Sequence, residues 1–249
     1  MKVITFALQK GGTGKTSTAV SVSVELASRG LKTLVIDADP QGNATTWIGI
    51  DNITYELADT LQKKCDVSDC IVPTKIDNLF FIPTASVGGS LKLYSKTLAN
   101  SSPFAIKHLL KAIKDNYDFC IIDTSPAFGG LEESCLLASD EAITVLKLDE
   151  FSKDGLISFL NNINDMKDRY DTEKPKMNKI ILNQRDLRLS VQNSILEEIK
   201  AATTSKLFVI PTDQTFTKAQ TIHYPVQFLD CAKKETLQVI SDLASSIME

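Results

Sequence analysis

No apolar run in these 249 residues approaches the roughly 20 needed to cross a bilayer. Positive charge is also in short supply. Lys and Arg number 27 against 31 Asp and Glu, giving a net charge of −4. Any nucleic-acid contact would therefore have to come from a local basic patch, not from the field of the whole chain. Only two histidines occur, His108 and His223, and the five cysteines (65, 70, 120, 135 and 231) contain no Cys-x-x-Cys pair. That excludes a zinc site of the usual ligand spacing. An odd number of unpatterned cysteines fits a reducing compartment, and Met1-Lys2 leads into a short strand without the layout of a signal peptide, so a cytoplasmic protein is expected. Low-complexity tracts, internal repeats and obvious linkers are missing too. One domain spanning 1–249 is the expectation.

What the sequence does contain is alternation. Short apolar runs at Val3–Leu8, Thr33–Ile36, Leu79–Ile82, Phe119–Ile122, Ala142–Leu146, Lys179–Leu182 and Leu207–Ile210 read as strands. Several are continuous, as parallel strands covered on both faces require. Between them lie helical patterns: Ile106, Leu109, Leu110 and Ile113, with Ser102 and Pro103 placed as N-cap and first helical residue; Leu156, Phe159, Leu160 and Ile163; and Val191, Ile195 and Ile199. His108 falls among lysines off the apolar face and reads as solvated. The fold class expected is α/β, a doubly wound, mostly parallel sheet with helices on both faces and right-handed crossovers. Ligands of such sheets bind beyond the carboxyl ends of the strands. The segment 51–100 gives the weakest pattern: one strand, two helices and a Gly-Gly-Ser break at Gly88–Ser90.

After the first strand comes Gln9-Lys10-Gly11-Gly12-Thr13-Gly14-Lys15-Thr16-Ser17, then a helix with Val20, Val24 and Ala27 in phase. Glycines let successive N–H groups turn inward as an anion nest at a helix N-terminus. Lys15 is placed to reach the β- and γ-phosphates and Thr16 to ligate magnesium. The common phosphate-loop pattern wants glycine where Gln9 stands. Lys-Gly-Gly-x-Gly-Lys-Thr, with Lys10 as a second lysine, is the deviant version.

With these residues the chain resembles the ParA/MinD superfamily of deviant P-loop ATPases. Val35-Ile36-Asp37-Ala38-Asp39-Pro40-Gln41-Gly42-Asn43 is similar to the family's acidic element after the second strand, and Asp118–Pro126 resembles its Walker B strand and switch. The resemblance implies ATP and Mg2+ as ligands. Gly11, Gly12, Thr13, Gly14, Lys15, Thr16 and Ser17 would bind the phosphates, and Thr16, Asp39 and Asp123 would stand on the metal side, Asp39 also orienting the attacking water. Lys10 would cross into a second copy, giving a homodimer with ATP sandwiched between subunits. Asp154, and less directly Glu150, match acidic residues near the partner's nucleotide. Asn183 and Pro211-Thr212-Asp213 match adenine-side contacts. Asp37 reads as a polar residue closing the second strand.

The branch of the superfamily is argued by elimination. The last helix, Glu235–Glu249, carries no lysine or arginine and so is a poor match to anionic lipid. Phe128-Gly129-Gly130 stands where the iron-protein branch needs a cluster cysteine. The ParA branch remains: slow ATPases stimulated by a ParB-like centromere-binding partner, with no membrane contact and no N-terminal helix-turn-helix expected. Non-specific DNA binding, and nucleoid association with ATP bound, is what the resemblance implies, with Arg185, Arg188 and Lys218 as candidate contacts. Pro211-Thr212-Asp213-Gln214-Thr215 departs from the family's Pro-Arg-Asn motif at that place. The alternatives are a cargo-positioning or membrane-surface ATPase and a metabolic P-loop enzyme. The sequence does not distinguish plasmid, chromosome and protein cargo.

Overall fold

Apolar strands such as Thr33–Ala38, buried at every position, need a covering layer on each side. The computed structural model describes residues 1–249 apart from Phe151 and Leu187. Among the described residues eight strands form one sheet: β1 (Lys2–Phe6), β2 (Thr33–Ala38), β3 (Val72–Pro73), β4 (Leu79–Ile82), β5 (Phe119–Thr124), β6 (Glu141–Lys147), β7 (Lys176–Arg185) and β8 (Lys206–Pro211). Their order is β3-β4-β2-β5-β1-β6-β7-β8. All pairings are parallel except that of the short edge strand β3 with β4. The chain leaves β1 toward β2 on one side and later returns past it to β6, so the order reverses at β1. The crevice beyond the carboxyl ends of the central strands is thus the place for a ligand.

One face of the sheet is covered by the helix Lys15–Ser28, whose Ala19, Val20, Val22 and Val24 are almost wholly buried. The C-terminal helix Lys234–Met248 packs on it, burying Ile240, Leu243, Ala244 and Ile247. Burying a large aliphatic side chain contributes about 1.5–3 kcal/mol, so this apolar stripe is committed to the core. Arg29 ties the two helices through Ser241 and Ser245. The opposite face carries the helices Ala105–Lys111, Gly130–Ala138 and Ser152–Tyr170. No described helix is long and apolar enough to cross a membrane.

The seven expected strands are all present, with ends shifted by up to three residues. Three expectations need correction. Ser102 and Pro103 do not start their helix. Ser102 is taken up by the preceding 3-10 turn, and the helix begins at Ala105. Its second N–H is capped from another element, donating to Ser134 Oγ at 3.1 Å. In the helix Ser190–Ala202, Val191 is 63% exposed, and Leu196 and Ile199 turn to the core with Ile195 beside them. The segment 51–100 contains two strands and three short helices, Leu57–Leu61, Val67–Cys70 and Leu91–Thr97. They are held by buried Glu56, which accepts from Ala85 N–H at 2.9 Å and from the Ser90 amide and hydroxyl. His108 is exposed, as read from the sequence, and Cys120 is buried in β5.

Candidate nucleotide site

The loop between β1 and the helix Lys15–Ser28 curls because Gly12 and Gly14 take φ of 67° and 99°, values that favour glycine. At Gly14 a second constraint applies, since a Cβ would run into the Asn183 amide. The helix then opens on Lys15, and Thr18 N–H already donates to Gly14 O. The N–H groups ahead of it have no partner within the helix and face the loop, the arrangement that binds phosphate.

Lys15 is 6% exposed, and its ammonium donates to Lys10 O at 3.0 Å. Burial lowers its pKa, while Asp123, Asp39 and Glu132 pull it back up. Asp123, the last residue but one of β5, is the register partner of both Phe6 on β1 and Asp37 on β2. Both its carboxylate oxygens are buried without a hydrogen bond. Its pKa stands well above the usual carboxylate range because of burial and then the neighbouring Asp37, with Thr16 and Lys15 acting in the other direction. Asp39 is raised as well, by burial first, against the Gln41 N–H it accepts at 2.9 Å and the Lys15 charge.

Asp37 is structural. It accepts from Thr45 N–H at 2.8 Å and Thr45 Oγ1 at 2.7 Å, and its pKa is pushed up to about 7 by burial. Thr45 in turn accepts from Thr84 N–H. The Asp-Pro-Gln-Gly-Asn turn closes on this contact, and a Cβ on Gly42 (φ 63°) would meet Thr84 O at 2.6 Å.

An orphaned buried carboxylate below a lysine and a threonine calls for a cation. Thr16, Asp39 and Asp123 are the donors a magnesium ion would find. No group of three or more His, Cys, Asp or Glu side chains among the described residues forms an all-protein metal cage.

A cleft of about 600 Å3 joins the phosphate loop to the ends of β7 and β8. The structure brings together there Gly11, Gly12, Thr13, Gly14, Lys15, Thr16, Ser17, Asp39, Asn183, Pro211 and Asp213. Thr212 faces a neighbouring cleft instead, and Asp154 and Glu150 are exposed outside the lining. Lys10 turns away to Asp149, 2.6 Å from each carboxylate oxygen. The candidate DNA residues do cluster. Arg185 and Arg188 line a cleft of about 570 Å3 with Lys233 and Cys231, and Lys218 Nζ lies 3.8 Å from Cys231 Sγ. Arg188 is clamped by Asp186, with Nη2 at 2.6 Å and Nε at 2.9 Å, which holds the Asp186 carboxyl down at about 2.

Sequence reasoning missed Trp47, Phe216 and Gln184 in the lining, and Glu132, which accepts from Gly129 N–H at 3.0 Å and from Ser125 Oγ. Only Glu132 had a local signal, as a glutamate three residues into a helix. Asp149 was the acidic residue next to one already singled out.

A family model described as an AAA domain matches residues 1–179. The sporulation initiation inhibitor protein Soj of Bacillus subtilis is 32% identical over 251 aligned positions, covering 99% of this chain and 98% of Soj. The chromosome partitioning protein ParA of Myxococcus xanthus is 28% identical, over 94% of this chain and 83% of that protein. Among solved structures, an ATP complex of McdA from Cyanothece superposes with a TM-score of 0.87 at 21% identity, covering 100% of this chain and 96% of that one.

Proposed function

Because the chain belongs to the ParA/MinD family of P-loop ATPases, we propose that it is a Mg2+-dependent ATPase that dimerises around ATP, binds DNA without sequence preference and partitions DNA with a ParB-like partner. The observation that carries the catalytic part is Asp123, a fully buried carboxylate without a hydrogen-bond partner on β5, close enough to Lys15 and Thr16 of the phosphate loop to feel both. A bound magnesium ion would supply charge neutralisation on the phosphates.

The chain's own residues do the rest. The loop N–H groups and Lys15 hold the phosphates. Asp39, which lines the cleft with Lys15, would orient water on the γ-phosphate side. Lys10 sits at the loop's start, half-exposed, where a second subunit would meet it.

Phosphate release by purified protein with MgATP tests the reading. Lys15→Ala should lose nucleotide affinity. Asp39→Ala should retain binding while turnover falls by roughly 10²-fold. Parent-rate hydrolysis by Asp39→Ala would overturn the water-orienting role. The DNA part is tested by co-sedimentation with random-sequence duplex, with and without ATP. Failure of ATP-dependent sedimentation would favour a cargo-positioning ATPase that works without DNA.

A further inference from the structure

Between the helices Leu57–Leu61 and Val67–Cys70 the chain turns tightly. Lys63 N–H donates to Thr60 O at 3.0 Å and Lys64 N–H to Asp59 O at 2.9 Å, and Lys63 takes a left-handed φ of 59°. Asp66 N–H then donates to Asp69 Oδ2 at 3.2 Å, which starts the second helix. A helix of four residues makes little more than one turn. Its last residue, Cys70, therefore comes back beside Cys65, which stands just before the N-cap. Their sulfurs lie 3.3 Å apart. Among the described residues no other pair of thiols makes such a contact.

The two sulfurs differ in access. Cys65 is half-buried and lines a cleft of about 990 Å3, with Leu61, Lys64, Phe104 and His108 among the walls. Cys70 is fully buried, in the same core cluster as Leu57, Ala58 and Tyr94, and its Sγ donates to Glu56 O at 3.4 Å. Burial, and then the hydrogen bond with Cys65, pushes the Cys70 thiol up to about 12. An oxidant entering the cleft therefore meets Cys65 first, with a protonated second sulfur already in contact behind it. The other cysteines each lack half of this arrangement. Cys120 and Cys135 are buried, and Cys231 is exposed beside Lys218 Nζ at 3.8 Å, not beside a thiol.

We propose that Cys65 and Cys70 are a dithiol oxidised by peroxides, Cys65 taking the oxygen and Cys70 closing a reversible disulfide. In the first step the Cys65 sulfur attacks one peroxide oxygen. The O–O bond breaks, an S–O bond forms, and the thiol proton leaves with the other oxygen as water or an alcohol. In the second step the Cys70 sulfur displaces the hydroxyl of the Cys65 sulfenic acid. The S–S bond forms and the Cys70 proton leaves with that hydroxyl as water. Two thiols are oxidised and one peroxide is reduced. The bond staples the turn to the end of the helix Val67–Cys70 and removes the S–H that Glu56 O accepts. Glu56 also holds Ala85 and Ser90, so oxidation acts at the anchor of segment 51–100. The inference stands independently of the ATPase reading.

The test treats the folded full chain with hydrogen peroxide, blocks the remaining thiols with a maleimide in denaturant, and weighs the tryptic peptides. Cys65 and Cys70 fall in one peptide, 65–75. In the parent that peptide should lose two hydrogens and take up no maleimide, and dithiothreitol should restore both thiols. Cys70→Ser offers a hydroxyl to Glu56 O but removes the resolving sulfur. Its Cys65 should therefore persist as a sulfenic acid, trapped by dimedone in much higher yield than in the parent. Cys65→Ser should leave Cys70 reduced at the same peroxide dose, and Cys231→Ser should leave the disulfide unchanged. A parent peptide that takes up maleimide at both cysteines, or that gains oxygen on Cys65 without losing two hydrogens, overturns the inference, and this measurement needs no variant. A dimedone adduct on Cys65 as abundant in the parent as in Cys70→Ser overturns it too.

Discussion

Replacing Asp123 by asparagine should make the protein more stable without nucleotide and less responsive with it. The carboxylate is fully buried at the end of β5, in register with Asp37 on the adjacent strand, and neither oxygen has a hydrogen bond. Neighbouring parallel strands lie about 4.8 Å apart, so the two acids repel at short range in a poorly solvated place. Leaving a buried polar group unsatisfied costs about 1–3 kcal/mol, and more when it is charged. Asparagine keeps the shape, removes the charge and offers an N–H to the Asp37 side. A gain on the order of 1–2 kcal/mol follows, and each kcal/mol is worth roughly 2–4 °C in Tm for a chain of this length. Nucleotide should reverse the order. At about 100 times Kd, MgATP adds about 2.7 kcal/mol to the parent, whereas the variant should gain much less and be indifferent to chelation of magnesium. Thermal melts of both proteins, with and without MgATP and with EDTA, give the four comparisons needed. A variant that melts below the parent without ligand would mean that the carboxylate has a stabilising partner. A variant with the full magnesium-dependent increment would place the metal elsewhere. Either result refutes the reasoning.

At the opposite end of the sheet, Lys179 and Glu141 form an ion pair of 2.6 Å with both side chains at most 6% exposed. Lys179→Met should leave Glu141 with only the longer 3.8 Å pair to Lys2 and so cost less than the about 3–5 kcal/mol of a fully stranded buried charge, and adding Glu141→Gln should recover much of the loss in urea melts; a loss below about 1 kcal/mol would show that Lys2 or water takes over the carboxylate. Lys10→Ala should bind ATP as a monomer, seen by light scattering with a slowly hydrolysed analogue, and a dimer of parental stability would remove the cross-subunit role. Arg188→Ala should weaken binding of random duplex and reduce the salt slope by roughly two per dimer, from about 0.9 per phosphate. Since Asp186 holds Arg188 at 2.6 Å, Asp186→Asn should strengthen binding, and unchanged affinity in both variants would move the DNA face elsewhere.

What the sequence made legible was local. The phosphate loop, the acidic turn after β2 and Asp123 near the end of β5 each stand in a short contiguous motif. Gly42 shows the boundary of that legibility. The motif announces a glycine, but the atom that forbids a Cβ is Thr84 O, 42 residues away. The same holds for Gly14 and Asn183. Segment 51–100 was hard to read because its elements are two to seven residues long, too short for periodicity, and Glu56 pins it across a distance of about thirty positions. The helix at Ala105 was misplaced for a related reason, since its N-terminal donor is satisfied by Ser134 and not by a preceding serine. Trp47 and Phe216, 6.5 Å apart by ring centroids, come from opposite ends of the chain and carry no spacing signal at all.

The two lysines of the loop are coupled through one residue, and their energies divide the labour between them. Lys15 is buried, and its charge is disfavoured by desolvation and steadied by Lys10 O at 3.0 Å. A polyphosphate would add to the counter-charge that Asp123, Asp39 and Glu132 already supply, so on the proposed reading most of the lysine contribution to nucleotide affinity would belong to Lys15. Lys10 is about 30% exposed and rests on Asp149, itself about 40% exposed. Pairs of that exposure are worth about 0–1 kcal/mol. Turning Lys10 from its own Asp149 to phosphates on a second subunit therefore costs little, and losing Lys10 costs the single subunit little. When Lys15 leaves the Lys10 carbonyl for phosphate, the backbone of Lys10 loses one of its anchors as well. On the proposed reading, nucleotide binding and release of the second lysine would then be steps of one rearrangement, and the lysine that is cheap to move would be the one whose movement association requires.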